Sequence, residues 1–469
     1  MKGEYRMSKK EIPAIHYPLI ASQQTMYYMI KFSIHKSVMQ IPTSIVVNQK
    51  FDMDLLKKAV NIEIARNDCL RLRFFKLDKE IRQHFLPEVV LNDIPVMHFS
   101  TREEMQKTLD ADAQKPVKWL KDEIFRIILF TTPEGHTGIY LNASHIIMDA
   151  LACGIFYGDL LAVYKALSCN EEMPEPLFAY EDAIKADLAY LTDKARYEKD
   201  QKFYMDYWTQ NGEPFYAGVH GPAFLEKMRK KTKNPNLRVP AAYDMIHDKC
   251  EIVRYHVEPD QAKVIFDFCL ETKNAPENLV MLGMRTHASA INYRTPDTLM
   301  MPLCSRRVTF KTKRMGGCLA QPLQLHSIIE EQSTFKDALA YMFGLRTQLY
   351  RHSNFPYMHA RVMQQKVFNF KTSQGPSFMM YTWLPLHLPL EDGVKIEFAG
   401  HNPGRYIMPL YVFSLPTQSD GGMDFYYMYR PNLIQAEHIE ALHKNCIKVI
   451  LDGIADPEVT IGELMDRIS

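Results

Sequence analysis

The stretch IYLNASHIIMDALACGIFYGD, Ile139 to Asp159, decides how the chain is read. Ile139, Leu141 and Ala143 alternate with Tyr140, Asn142 and Ser144, the period of a strand with one face buried. From Leu151 onward, apolar residues at Leu151, Ile155, Leu160 and Val163 suit a helix, which leaves His145 to Asp149 in the crossing between the two elements. Side chains in such a crossing are held by rigid elements yet open into a cleft, a setting that suits a catalytic base. A lone histidine among apolar residues is more often a core residue satisfied by hydrogen bonds, so a chemical role for His145 has to come from the rest of the chain.

Working outward, Glu123 to Thr132 and Thr137 to Ser144 are apolar runs joined by Pro133, Glu134 and Gly135, the pattern of two antiparallel strands and a turn. Upstream, IPTSIVV at 41–47 reads as a strand. Met53 to Ala65 reads as a helix with Leu56, Ala59, Val60 and Ile64 on one face and Asp52 or Asp54 as its cap. NDCLRLRFF at 67–75 turns from that helix into a strand that places its two arginines on one face. Downstream, Pro174 and Pro176 break the pattern in a charge-rich stretch, which sets the boundary between two lobes: 1–185 and 186–469. The second lobe holds an amphipathic helix with Tyr204, Tyr207 and Trp208, and a basic surface loop, MRKKTKNPNLR, that could attract an acidic partner or a phosphate group. It continues through a strand at Ile252 to Val257, a helix at Asp260 to Glu271 and a strand at Thr298 to Leu303. It ends in a strand at Asp424 to Tyr429 and a helix at Gln435 to Leu451, on which Ile439, Leu442, Cys446 and Ile450 share a face. Helices alternating with strands in both halves imply an α/β class built of two-layer α+β sandwiches.

A chain of 469 residues exceeds one compact core. Lys plus Arg number 56 against 55 Asp plus Glu, a net charge of +1, and no basic block gives the footprint of a nucleic-acid binder. The 8 cysteines form no CxxC pair and no zinc spacing, and HxxxH and HExxH clusters are missing, so metal-dependent hydrolysis is a poor reading and no metal is expected. The charged N-terminus lacks a signal-peptide run, and no later stretch reaches the ~18 apolar residues of a membrane span, so a cytoplasmic protein is expected. There is no GxGxxG and no P-loop.

SHIIMDA at 144–150 resembles the HHxxxDG motif of the condensation domains of nonribosomal peptide synthetases, which share a fold with chloramphenicol acetyltransferase and other CoA-dependent acyltransferases. Further segments resemble the same family in the same order: YPLIASQQ at 17–24, NDCLRLRFF at 67–75, Tyr207-Trp208, the Arg-then-Gly-Gly run at 306–317, NFPYMHARV at 354–362 and MDFYYMYRP at 423–431. The resemblance implies two chloramphenicol acetyltransferase-like lobes in a V with an interface tunnel, and His145 as general base within it. It implies that Asp149 is structural and paired with Arg306, with Arg307 as the alternative register. It also implies a thioester donor, acyl-CoA or a phosphopantetheine thioester, as co-substrate with no tightly bound cofactor, and a small-molecule amine or hydroxyl acceptor. Because neither an adenylation domain nor a carrier domain fits beside two lobes, a free-standing acyltransferase served by CoA or by a separate acyl or peptidyl carrier protein is expected. A non-catalytic scaffold that binds a carrier or a peptide is the competing reading. Two residues depart from the motif. Ser144 replaces its first histidine and, as a strand neighbour of His145, points the other way. Ala150 replaces its glycine, which either narrows the approach to the base or excludes a backbone conformation that only glycine reaches easily.

Overall fold

The computed structural model describes residues 12–121, 123–243, 246–386, 388 and 393–468. The charged start of the chain, residues 1–11, lies outside them. Among the described residues the strands form three sheets, shared between two compact units.

Unit 1 carries a five-stranded sheet in the order Ile396–Gly400, Gln40–Val47, Thr137–Ser144, Phe125–Thr131 and Val96–His98, antiparallel except for the last pair. A smaller sheet pairs Tyr17–Pro18, Glu80–Phe85 and Leu72–Leu77. The helix Met53–Arg66 begins where expected: the Asp52 carboxylate accepts from the backbone N–H groups of Asp54 and Leu55, both at 2.9 Å. Its Leu56, Ala59, Val60 and Ile64 are fully buried, and it packs against the helix Ala150–Cys169. On the other side of the sheet, Val46, Ile128, Phe130 and Tyr140 close over Phe99, Met105 and Leu109.

The central strand Thr137–Ser144 is therefore buried on both faces, not one. Tyr140 and Asn142 survive burial because each meets a partner. Tyr140 Oη donates to Asp112 Oδ2 at 3.0 Å, and Asn142 Nδ2 donates to the same carboxylate at 3.4 Å. The arginines of NDCLRLRFF also differ from expectation. Arg71 ends a 3₁₀ turn, Asp68–Arg71, and only Arg73 lies in the strand Leu72–Leu77, so they do not share a strand face.

Unit 2 is built on a sheet in the order Gln321–Pro322, Asp297–Cys304, Met380–Trp383, Leu410–Pro416, Met423–Tyr429 and Glu251–Val257, with Leu325–Ile328 paired to Asp297–Cys304. The helices Pro276–Ile291 and Ala436–Ala455 pack together, and Ile439, Leu442, Cys446 and Ile450 are all fully buried. Half of the basic stretch MRKKTKNPNLR is not loop: it completes the helix Ala223–Thr232, whose last turn carries Arg229, Lys230 and Lys231 toward the negative end of the dipole.

The division 1–185 and 186–469 differs from the structure, in which neither unit is contiguous. Unit 1 runs to Asp193 and also takes in Ser305–Ala320 and Leu386–Arg405. The reason is specific pairing: Ile396–Gly400 completes the sheet beside Gln40–Val47, and Arg307 is drawn to Asp149. Among the described residues only the helix Ala150–Cys169, at 20 residues, is long and apolar enough to cross a membrane, which corrects the expectation that no stretch reaches that length. Within unit 1 it packs on Met53–Arg66 and Gln40–Val47 and carries an Asp159 paired with Arg66.

Candidate active site

The strand Thr137–Ser144 ends in a tight turn, and His145 is the first residue out of it. Its backbone N–H donates to Met39 O at 2.9 Å, and the turn closes through Ile147 N–H to Ser144 O at 3.1 Å. Ile146, Ile147 and Met148 are fully buried, so the turn is anchored by apolar side chains, and His145 is half-buried. Gln23, also fully buried, fixes the same turn from below. Its Nε2 donates to Ile146 O at 3.2 Å, and its amide pairs reciprocally with that of Gln83 at 2.7 Å.

Asp149 closes the turn and begins the next helix. Its Oδ1 accepts from Ala152 N–H at 2.9 Å as the cap of Ala150–Cys169. Its Oδ2 accepts from Arg307 Nη1 at 2.7 Å, from Leu319 N–H at 2.8 Å and from Ala320 N–H at 3.1 Å. Both side chains of the ion pair are 3% exposed, and a pair so buried holds only because hydrogen bonds meet most of its polar atoms. Arg307 reaches further, donating through Nη2 to Gly317 O at 2.9 Å and Gly316 O at 3.2 Å.

Arg306 is not the partner of Asp149. Its backbone sits at φ +54, the left-handed region, so successive side chains leave in directions a regular strand would not give them. Arg306 Nη1 pairs instead with Asp187 Oδ1 at 2.6 Å, and its Nε donates to Leu319 O at 2.8 Å. Asp187 Oδ2 accepts from Ala21 N–H at 3.0 Å at the start of the helix Ala21–Phe32. The two arginines thus clamp one segment, Ser305–Ala320, by two separate carboxylates.

Within that segment Gly316 and Gly317 leave no room for a side chain. A Cβ on Gly316 would lie 2.1 Å from Asn67 Oδ1, and one on Gly317, at φ +90, would lie 2.0 Å from the ring of Tyr180. Cys318 follows, with its carbonyl accepting from Ser22 Oγ at 2.6 Å and Tyr180 Oη at 2.9 Å, and its Sγ lying 4.0 Å from His145 Nδ1.

Ser144 is buried as the last residue of its strand, opposite Gln40. Ala150 is the first residue of its helix and is not among the described residues with positive φ, so the backbone here asks for no glycine. Desolvation holds the His145 imidazole below its ordinary pKa, against the opposing pull of the backbone carbonyls of His145 and Met148 and of the Asp149 carboxylate. A histidine so placed is neutral at physiological pH and able to accept a proton. Among the described residues no group of three or more His, Cys, Asp or Glu side chains could hold a metal ion.

Sequence reading named His145 and Asp149 as candidates and did not name Gln23, Tyr180, Asp187 or Cys318, which the structure places around the same turn. For Gln23 a signal was present, a glutamine inside the quoted YPLIASQQ. Asp187 and Cys318 carried none, because their roles come from chain segments brought together only by the fold.

Residues 14–217 match the model of the Condensation domain family. Surfactin synthase subunit 1 of Bacillus subtilis (strain 168) is 21% identical over 464 residues, covering 96% of this chain, while the chain spans only 12% of that relative's length. The first condensation domain of the calcium-dependent antibiotic synthetase, solved with a substrate analogue, superposes with TM-score 0.79 at 16% identity, covering 96% of this chain and 98% of that one. The starter condensation domain of rhizomide synthetase, solved in complex with C8-CoA, gives TM-score 0.79 at 16% identity, covering 96% and 97%. The chain is condensation-domain-like: residues 14–217 match that family's model, and 96% of its length carries the condensation-domain fold.

Proposed function

We propose that the protein is an acyltransferase that moves an acyl or aminoacyl group from a thioester to an amine or hydroxyl acceptor, with His145 as general base. The observation that carries this reading is His145 itself: a half-buried residue with a neutral imidazole at a strand end, on a turn held by Gln23, Asp149 and the Ser305–Ala320 segment. A core histidine has no need of a separate ion pair to hold the turn that bears it.

In the reaction, His145 takes the proton of the acceptor as the acceptor's nitrogen or oxygen attacks the thioester carbonyl. The new C–N or C–O bond forms, the C–S bond breaks, and the proton passes to the departing thiolate. A positioned base contributes roughly a hundredfold to ten-thousandfold, and the rest comes from holding two substrates in line. Asp149 and Arg307 act as positioning residues.

The donor is acyl-CoA or a phosphopantetheine thioester on an acyl or peptidyl carrier protein outside the two described units. The C8-CoA bound to the similar rhizomide synthetase domain favours CoA as the first donor to test. The 8 unpaired cysteines suit a reducing, cytoplasmic setting. The test is thiol release from octanoyl-CoA and from a carrier-bound thioester across a panel of amines and alcohols. His145→Gln should lower turnover at least about a hundredfold with the melting temperature held. Near-normal turnover in that variant would defeat the mechanism, and no turnover by the parent with any thioester would favour a scaffold.

A further inference from the structure

The Cys318 thiol is a buried group that the mechanism above leaves unused, and it touches the base. Its Sγ lies 4.0 Å from His145 Nδ1, and its side chain is fully buried. Its place is set by the backbone on both sides. The Gly317 carbonyl accepts from Arg307 Nη2 at 2.9 Å, and the Leu319 N–H donates to Asp149 Oδ2 at 2.8 Å. The Cys318 carbonyl between them accepts from Ser22 Oγ and Tyr180 Oη. These bonds fix the main chain that carries the thiol beside one ring nitrogen, and they tie it to the Asp149–Arg307 pair.

We infer that Cys318 is a positioning residue that accepts the Nδ1–H of His145, so that the Nδ1-protonated tautomer is kept and Nε2 is the nitrogen left free as base. This rests on the acyltransferase reading above. A neutral thiol is a weak acceptor as well as a weak donor. Burial pushes the Cys318 thiol up, away from thiolate, so it does not compete with the substrate as a nucleophile. The backbone carbonyls of His145 and Met148 and the Asp149 carboxylate near the ring pull in the direction of a protonated ring, against its burial. In the opposite tautomer the thiol S–H would donate to a bare Nδ1 and the ring proton would sit on Nε2, where the substrate needs a base.

The experiment is nitrogen NMR of the full chain labelled at histidine, with His145 assigned by its loss in His145→Gln. The parent should show Nδ1 protonated and Nε2 bare near neutral pH. Cys318→Ala and the volume-keeping Cys318→Val should mix in the Nε2-protonated tautomer and move the acid limb of the pH–rate profile to lower pH, with kcat/KM for octanoyl-CoA down about tenfold and KM little changed. Cys318→Ser, which restores an acceptor, should restore the parent tautomer. An Nε2-protonated parent overturns the proposal. So does a folded Ala or Val variant with the parent's tautomer, because the backbone carbonyls would then suffice. The tautomer is read without turnover, so a failure of the acyltransferase reading, seen as full activity in His145→Gln, stays distinct from a failure of this one.

Discussion

Asp149 divides its carboxylate between two tasks: one oxygen caps the helix Ala150–Cys169, and the other takes Arg307 at 2.7 Å together with two backbone N–H groups of the segment that carries Cys318. Removing either side chain leaves the other charge buried and unpaired, a loss of roughly 3 to 5 kcal/mol for a pair this deeply buried. Asp149→Ala and Arg307→Ala should each lower the melting temperature, and the double variant should lose far less than their sum. Arg306→Ala combined with Asp149→Ala should instead show much weaker coupling, because the carboxylate that Arg306 pairs with is Asp187, and the two share only the Leu319 backbone. Equal coupling of Asp149 to both arginines in chemical denaturation would refute the assignment.

Gly317 should not tolerate even alanine. Its φ of +90 is strained for any L side chain, and the added Cβ would meet the Tyr180 ring at 2.0 Å. Gly317→Ala should cost about 1 to 3 kcal/mol in denaturant titration and displace Cys318, lowering thiol release as well. Normal stability and activity in Gly317→Ala would show that the segment does not need this conformation.

Glu63 offers a test by pH. It is fully buried, and burial first, then neighbouring Asp159, holds its carboxyl well above the ordinary range, while Arg66 is engaged by Asp159. The folded protein therefore keeps a proton that the unfolded chain releases. The stability this gives is complete below the ordinary carboxylate value of about 4.3 and declines as pH rises toward the folded value. Glu63→Gln should gain on the parent in melting temperature between pH 5 and pH 8. A parent-to-variant difference that stays constant over that range would contradict a neutral Glu63.

The depressed His145 value sets the sign of a further dependence. Activity needs the neutral ring, so it should fall only as pH drops below about 6.5, the ordinary histidine value. Stability linked to His145 should fall in the same direction, since the unfolded chain takes up the proton first. A pH–rate profile whose acid limb lies above the ordinary histidine value would count against His145 as the base.

Much of the architecture was open to reading because the periods are local. The change from alternation at Ile139–Ser144 to helical spacing after Leu151 located the turn that carries His145, and Asp52 announced the helix it caps. The helix Pro276–Ile291 escaped notice because it is buried along nearly its whole length, with polar Asn278, Arg285, Thr286 and His287 inside as well as apolar residues. The choice between Arg306 and Arg307 was beyond pattern reading for another reason. It turns on one left-handed backbone residue, and an arginine gives no sign that its φ will be +54. The non-contiguous make-up of unit 1 was hidden likewise, because pairings such as Ile396 with Val47 link segments that share no local signal.

The strand Ile396–Gly400 has a consequence for the order in which the protein can be assembled. Lys395, whose N–H binds Asn48, lies 347 residues further along the chain, and Arg307 lies 158 residues beyond Asp149. At a ribosome adding roughly 5 to 20 residues per second, Gln40–Val47 waits tens of seconds with an open hydrogen-bonding edge. Asp149 waits, for a shorter time, without its cation. The nascent unit 1 is thus obliged to emerge unfinished, with an unpaired strand edge open to a neighbouring chain until Ile396–Gly400 arrives to cover it.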